Sequence, residues 1–355
     1  MSINLNVGYR FVHVGDCHLG KKLHNIPEFE DDMRELFTAS IDKAIELEVG
    51  AYIISGDLFD NNRPTAELVA FVQKEFARLL AEGIMPMGQP GDHDKAIDGH
   101  SWINLAGARE IKYGPFFGCE YYDDPKLVLD TVKTNPHACE AEWLFLHGMC
   151  PQIWPYCQDK KTLDLTPEIL EKYTKLKGVL LSDIHSPMEG YLNHLGFKIP
   201  IEYVGSLGIT DFSEIEKRKG IHYYDGKNLM RVEIPLPRQY FRIKLQDGEK
   251  IPTFPNTTFI EKPVFILEYA TGEQRNLIKQ ARHLYDIGIP IEIRKSEDGA
   301  EEVTINRSEL NSSDRINAAL KTECKTELGF NLANELLSNP DPKSVLDNLK
   351  LTLGV

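Results

Sequence analysis

Five short apolar runs each end in side chains that hold divalent cations: Asp16-Cys17-His18, Gly56-Asp57-Leu58-Phe59-Asp60, Gly91-Asp92-His93-Asp94, His147-Gly148 and Ser182-Asp183-Ile184-His185. Any one of these is a common accident in a chain of this length. Their recurrence in order, each closing an apolar run, points to one shared site. The chemistry that needs such a set is phosphodiester cleavage. Two divalent ions about 4 Å apart can clamp a phosphate, generate hydroxide and stabilise the leaving oxygen. A carboxylate must hold the two like charges together, and Asp57 is the natural bridge. Asp16 and His18, with His185, are expected to hold the first ion; Asp92, His147 and Asp183 are expected to hold the second. His93, beside Asp92, is poorly placed to share that ion and better placed to protonate the leaving oxygen or to hold the phosphate. Asp60 and Asp94 read either as carboxylates that orient a histidine or a ligand, or as ordinary turn and capping aspartates.

Residues so far apart in sequence can meet only if the backbone brings strand ends together. The pattern predicts this. YRFVHVGD (9–16), AYIISGD (51–57), the start of IMPMGQPGDHD (84–94), WLFLHG (143–148) and GVLLSDIH (178–185) read as strands. Residues 29–48 place Met33, Leu36, Phe37, Ile41, Ala44 and Ile45 at helical spacing, and residues 67–83 read as a second helix that stops at Gly83. Strands alternating with helices imply an α/β domain, and in open α/β sheets the loops after the strands line one crevice.

These motifs resemble the calcineurin-like metallophosphoesterase superfamily, and more specifically the SbcD family, the nuclease subunit of DNA double-strand-break repair complexes. GDLFDNNRPT (56–65) is similar to that family's second motif. YVGSLGITDFSEIEKRKGIHYYDGKNLMRVEIPL (203–236) resembles the segment closing its phosphoesterase domain. The resemblance implies an α/β metallophosphoesterase sandwich with a small α+β capping domain and a helical C-terminal tail. It further implies a Mn²⁺-dependent exonuclease and endonuclease, with Mg²⁺ as the other candidate ion. The partners it implies are DNA and an SbcC-type ATPase whose coiled coil docks on the helical tail, with the chain as a homodimer within a heterotetramer.

Two positions depart from the family pattern, and both fall on the second ion. The family's Gly-Asn-His-Asp is Gly91-Asp92-His93-Asp94 here, and its Gly-His-x-His is Ser182-Asp183-Ile184-His185. Asp16, Asp57, Asp92 and Asp183 would together carry a charge of about −4, enough to neutralise two divalent ions. Oxygen-rich ligation favours Mn²⁺ or Mg²⁺ over softer ions. It also leaves less positive charge to acidify water or hold a phosphate. The alternative to a working nuclease is therefore a catalytically weakened subunit of the same complex, acting as a DNA-end-binding or scaffold protein.

Texture and composition set the frame. The βα rhythm ends near residue 235, giving an expected phosphoesterase domain over 1–236, a capping module over 237–305 and a helical segment over 306–355. Within the module VFILEYA and PIEIRK read as strands around a helix-like EQRNLIKQARHLYDIG. No run approaches 18 apolar residues, which excludes a spanning helix, and the first residues lack the pattern of a secretion signal. Six cysteines without a CxxC pair suggest free thiols in a reducing cytoplasm. A net charge of −14 argues against binding nucleic acid by general basicity alone. Local cations must then do that work. Arg63, just after the second motif, is the best candidate for a DNA phosphate, ahead of Lys21-Lys22, Lys95, Arg109 and Lys217-Arg218-Lys219, which read first as solvated surface.

Overall fold

The computed structural model describes residues 9–95, 101–112, 114–154, 162–215, 217–245, 251–254, 259, 261–270, 281, 283–284, 286–295 and 301–304. The chain divides between Pro237 and Arg238 into two compact units. The first contains β1 (Phe11–Val14), α1 (Pro27–Glu46), β2 (Ala51–Ile54), α2 (Ala66–Ala81), β3 (Met85–Gly88), α3 (Trp102–Leu105), β4 (Phe116–Gly118), α4 (Pro125–Thr134), β5 (Trp143–His147), α5 (Pro167–Leu170) and β6 (Gly178–Ser182). Two antiparallel pairs follow, β7 (Met188–His194) with β8 (Phe197–Tyr203), and β9 (Gly220–Tyr224) with β10 (Leu229–Glu233).

These strands form two five-stranded sheets, in the orders β10-β9-β1-β2-β3 and β4-β5-β6-β8-β7. β1, β2 and β3 are parallel, as are β4, β5 and β6. Successive strand side chains face opposite ways, and both faces are covered here. Phe11, Ile53 and Met87 meet Trp143, Phe145 and Leu180 between the sheets. Val12, Val14, Tyr52 and Ile54 face outward onto Phe37 and Ile41 of α1 and Val72 and Phe76 of α2. Leu144, Leu146, Val179 and Leu181 do the same toward Val128 and Val132 of α4. Burial on both faces is why the strands read as unbroken apolar runs. The helices start where local chemistry starts them. Pro27 opens α1, and the Thr65 hydroxyl accepts the Leu68 N–H at 3.2 Å to cap α2. Ile53 is fully buried between the sheets. Ile53→Val is expected to lower unfolding free energy by about 0.5–1.5 kcal/mol, checked by urea denaturation.

The strands end sooner than the sequence reading placed them, and the reason lies at the site. Asp16 has φ 49°, Asp57 φ 50° and Asp183 φ 96°, all outside the extended region, so β1, β2 and β6 stop before them. β4, α4 and the β7–β8 pair had no clear signal. β4 is three residues long, and β7 alternates exposed and covered residues over MEGYLNH, with few β-formers.

The second unit carries β11 (Tyr240–Lys244), β12 (Val264–Ala270), β13 (Ile289–Lys295) and β14 (Glu301–Thr304), in that spatial order. Ile243, Phe265, Leu267, Ala281 and Leu284 form its core. VFILEYA and PIEIRK lie on β12 and β13. Most of the helix-like run between them, and the whole 306–355 tail, lie outside the described residues.

Candidate metal centre

The carboxyl ends of β1, β2, β5 and β6 and the loop after β3 converge on one cluster. Asp16, His18 and His185 each offer a ligand atom within 4.8 Å of the others, and so do Asp92, His147 and Asp183. Asp57 lies between the two groups: its Oδ2 is 3.6 Å from His18 Nε2 and 3.7 Å from His147 Nε2. His18 Nε2 and His185 Nε2 are 3.1 Å apart, and His147 Nε2 is 3.1 Å from Asp92 Oδ1. All seven residues expected as ligands are thus brought together; Asp16, Asp57 and His147 group as closely, and so do Asp57, Asp92 and His93, so the geometry also admits His93 as a ligand.

Several are held in costly backbone conformations. Asp16, His18, Asp57 and Asp183 have positive φ, each costing about 1–3 kcal/mol for a non-glycine residue. The surroundings enforce this. Asp183 N–H donates to both oxygens of Asp16 at 3.0 and 3.1 Å, and His93 N–H donates to Asp57 Oδ1 at 3.0 Å. Glycine is required beside them: a Cβ at Gly56 would lie 2.2 Å from His147 Nδ1, and one at Gly91 2.2 Å from Asp57 Oδ1.

A second set of groups aims the histidines. His147 Nδ1 faces the Ser55 carbonyl at 3.2 Å, which leaves Nε2 toward the cluster. His18 Nδ1 lies 3.2 Å from Asp60 Oδ1. His185 Nδ1 faces Glu214 Oε1 at 2.9 Å. Thr210 Oγ1 donates to that same oxygen at 2.6 Å, and Lys219 Nζ donates to Glu214 Oε2 at 2.6 Å. Beneath the cluster His13 Nε2 meets Ser55 Oγ at 2.6 Å, and Ser55 Oγ in turn bonds Ser182 Oγ.

Some expectations change. Asp94 is fully buried, and it accepts the backbone N–H groups of Gly91 at 2.7 Å and Phe59 at 3.0 Å. It therefore braces the loops that carry Asp92 and Asp57, and does not orient a histidine. Lys219 is no solvated lysine but a buried partner of Glu214. His93 is exposed, with Nδ1 3.0 Å from the Asp60 carbonyl and its ring edge-on to His18 at 4.8 Å. Arg63 is exposed in the loop after Asp60. The sequence reading missed Glu214, Lys219, Thr210 and Ser55; only the Asp211-Phe212-Ser213-Glu214 stretch gave a signal.

The electrostatics are those of carboxylates awaiting cations. Burial, then the charges of Asp94, Asp16 and Asp92, push Asp57 up to about 9. Burial raises Asp183 as well. Burial opposes a charge on His147, but Asp57, Asp92, Asp16 and Asp183 outweigh it and hold His147 well above its usual value. Against its own burial, Asp92 is held below the carboxylate range by the bond to His147. Burial lowers His18. Without cations the cluster can neutralise itself only by retaining protons. Oxygen and imidazole donors converging from both sides of Asp57 fit a pair of divalent ions.

The chain matches the calcineurin-like phosphoesterase family over residues 9–231. It is similar to proteins named DNA double-strand break repair protein Mre11. With that of Saccharolobus solfataricus it is 38% identical over 85 residues, covering 24% of this chain and 22% of the relative. With that of Halobacterium salinarum it is 24% identical over 220 residues, covering 59% and 54%. With that of Methanosarcina mazei it is 29% identical over 265 residues, covering 68% and 41%. The chain spans between about a fifth and about half of the length of these curated relatives.

Proposed function

The chain belongs to the calcineurin-like phosphoesterase family, and from that premise we propose that it is a DNA nuclease, the cutting subunit of an SbcCD-like end-processing complex. The observation that carries this reading is Asp57 set between two His/Asp groups, each able to hold one ion. Relatives that carry a DNA double-strand break repair name support DNA as the substrate. Asp16, His18, His185 and Asp57 would hold one ion; Asp57, Asp92, His147 and Asp183 the other. Two divalent ions, Mn²⁺ or Mg²⁺, supply Lewis acidity and an activated water at such a site. The protein's own work is orientation and proton handling. Ser55 and Glu214 fix which nitrogen of His147 and His185 faces the cluster, and Asp60 stands beside His18 Nδ1. The Asp60 carbonyl takes the Nδ1–H of His93, so its Nε2 can pass a proton to the leaving oxygen only when the ring is doubly protonated. Arg63, exposed in the loop after Asp60, would meet a neighbouring DNA phosphate. The assay is labelled single- and double-stranded DNA with Mn²⁺ or Mg²⁺, with and without a coiled-coil ATPase. Cleavage that EDTA stops is expected; no cleavage under any of these conditions would sink the nuclease reading.

The same reading includes dimerisation, docking of an SbcC-type ATPase on residues 306–355, DNA contact by a capping domain over 237–305, and work in the cytoplasm. Among the described residues no helix is long and apolar enough to cross a membrane. One observation favours a second reading. Four carboxylates crowd the centre, and Asp57 is pushed up to about 9. A site so rich in negative charge suits a weakened subunit that binds DNA ends without efficient cutting. Asp92→Asn combined with Asp183→His separates the two. A several-fold rate gain, and a shift of preference toward softer ions, is expected if excess charge limits the rate; an unchanged rate removes the charge argument.

Metal loading should release protons. Burial and the neighbouring aspartates push Asp57 up to about 9, and the surrounding carboxylates raise His147; ligands must lose such protons to bind. Affinity should therefore rise with pH through the neutral range, by about tenfold per pH unit for each proton displaced. Calorimetry in two buffers of different ionisation heat reads the proton count directly.

A further inference from the structure

Between the adjoining edges of the two sheets, lined from β7, β8, β9 and β10 and the segments before β7 and β9, lies a cavity of about 440 Å³. Pro187 and Glu189 form one wall; Lys217, Arg218, His222 and Arg231 form the other. Both walls are tied to His185. Pro187 follows it by two residues, at most ~7 Å of backbone. Lys217 N–H donates to the Glu214 carbonyl at 2.8 Å, and the Glu214 carboxylate holds His185.

Three cations converge here in a chain of net charge −14. Arg231 is the centre of the group. One of its terminal nitrogens donates to the Arg218 carbonyl, while its Nε is buried without a hydrogen-bond partner among the described residues. A buried guanidinium N–H is rarely left so, and a planar fork of donors matches an oxyanion. The opposing charges are weakly placed. Glu233 pairs with Arg218 at 2.8 Å, but that pair is exposed and worth little. Glu189 is exposed on the rim. Glu202 touches His222 Nε2 at 3.4 Å, and burial with the charge of Glu189 pushes it up to about 7. Burial and Arg231 push His222 down to about 3, so His222 adds no positive charge. Lys217 remains exposed, with no ion pair among the described residues.

We propose that this cavity is a phosphate-binding site, and that the phosphate it takes belongs to the DNA strand, flanking the one at the metal centre. Arg231 supplies the hydrogen-bonding fork and Lys217 the second charge. The source of the phosphate rests on the nuclease reading; the site itself does not. A labelled single-stranded oligonucleotide, titrated in EDTA over about 50–300 mM salt, tests both. Arg231→Met is expected to weaken binding about 5–20-fold and to flatten the plot of log affinity against log salt by about 0.7, one single-strand phosphate contact. Lys217→Met, at an exposed position that keeps the fold, should move both quantities the same way. Unchanged affinity and slope in both cavity variants overturns the proposal and leaves the nuclease reading standing. If the parent protein binds no DNA, inorganic phosphate decides. A melting temperature raised by phosphate, with the rise lost in Arg231→Met, makes the cavity a site for free phosphate and sinks the strand assignment. No rise in the parent protein removes the site altogether.

Discussion

Asp57→Ala is expected to lower phosphodiester hydrolysis by about 10³-fold or more, equivalent to ~4 kcal/mol of transition-state stabilisation. The side chain stands within 3.6 Å of His18 Nε2 and 3.7 Å of His147 Nε2, so its loss removes the one carboxylate common to both groups. Elemental analysis should find less metal retained per chain. Stability should move differently. In the metal-free protein burial and three neighbouring aspartates push the Asp57 carboxyl up to about 9, so folding at pH 7 must bind a proton there; deleting the side chain removes that cost, although His93 N–H loses its acceptor. Activity should therefore collapse while the metal-free melting temperature holds or rises. Hydrolysis that survives the substitution would place the chemistry elsewhere; a collapse of the fold would mean that Asp57 is structural.

Lys219→Met is expected to cost about 3–5 kcal/mol of unfolding free energy. Lys219 Nζ and Glu214 Oε2 are 2.6 Å apart, with side-chain exposures of 1% and 8%. Removing the cation leaves Glu214 as a buried charge held by His185, the Ser206 and Thr210 hydroxyls and the Thr210 N–H. Burial opposes ionisation of Glu214, yet the bond to His185 and the charge of Lys219 outweigh it and hold its carboxyl below the ordinary range. A depressed carboxylate contributes stability at neutral pH that fades as pH falls below its unfolded value of 4.5. In Lys219→Met that acid-sensitive contribution should shrink. Adding Glu214→Gln should recover part of the loss, since a neutral amide needs no counter-ion. Urea denaturation at pH 7 and pH 4 reads both effects. A loss below about 1 kcal/mol would mean that Glu214 gains its partner elsewhere.

The metal centre was legible because its residues follow strands whose apolar content is plain in sequence. Asp16, Asp57, His147 and His185 each sit within three residues of such a run. The parts that aim them were not legible. Glu214 ends a single 3-10 turn, Phe212–Glu214, and Lys219 immediately precedes β9, places where charged residues are ordinarily solvated. Their burial depends on the turn of Ser206 to Thr210 folding back onto His185. Ser55 acts through a backbone carbonyl, which no side-chain pattern can announce. Asp94 could be read as an orienting carboxylate or as a turn aspartate; it is spent on two amides. In the fold, β1 to β3 and β5 to β6 were readable from unbroken apolar runs. The β7–β8 pair was not, because the protein covers it on one face only, so its pattern is weak.

β1 has further consequences as the middle strand of its sheet. Its neighbours are β2 on one side and β9 on the other, and β9 is made more than a hundred residues after β2. At ~5–20 residues per second the ribosome needs on the order of ten to thirty seconds to supply it. During that interval the edge of β1 that will pair with β9 stands open beside the growing chain. Tyr224 completes the layer that covers Phe11. The nascent protein must therefore be shielded until late in translation, and stalling before Tyr224 should leave a fragment that sticks to chaperones and not one that folds.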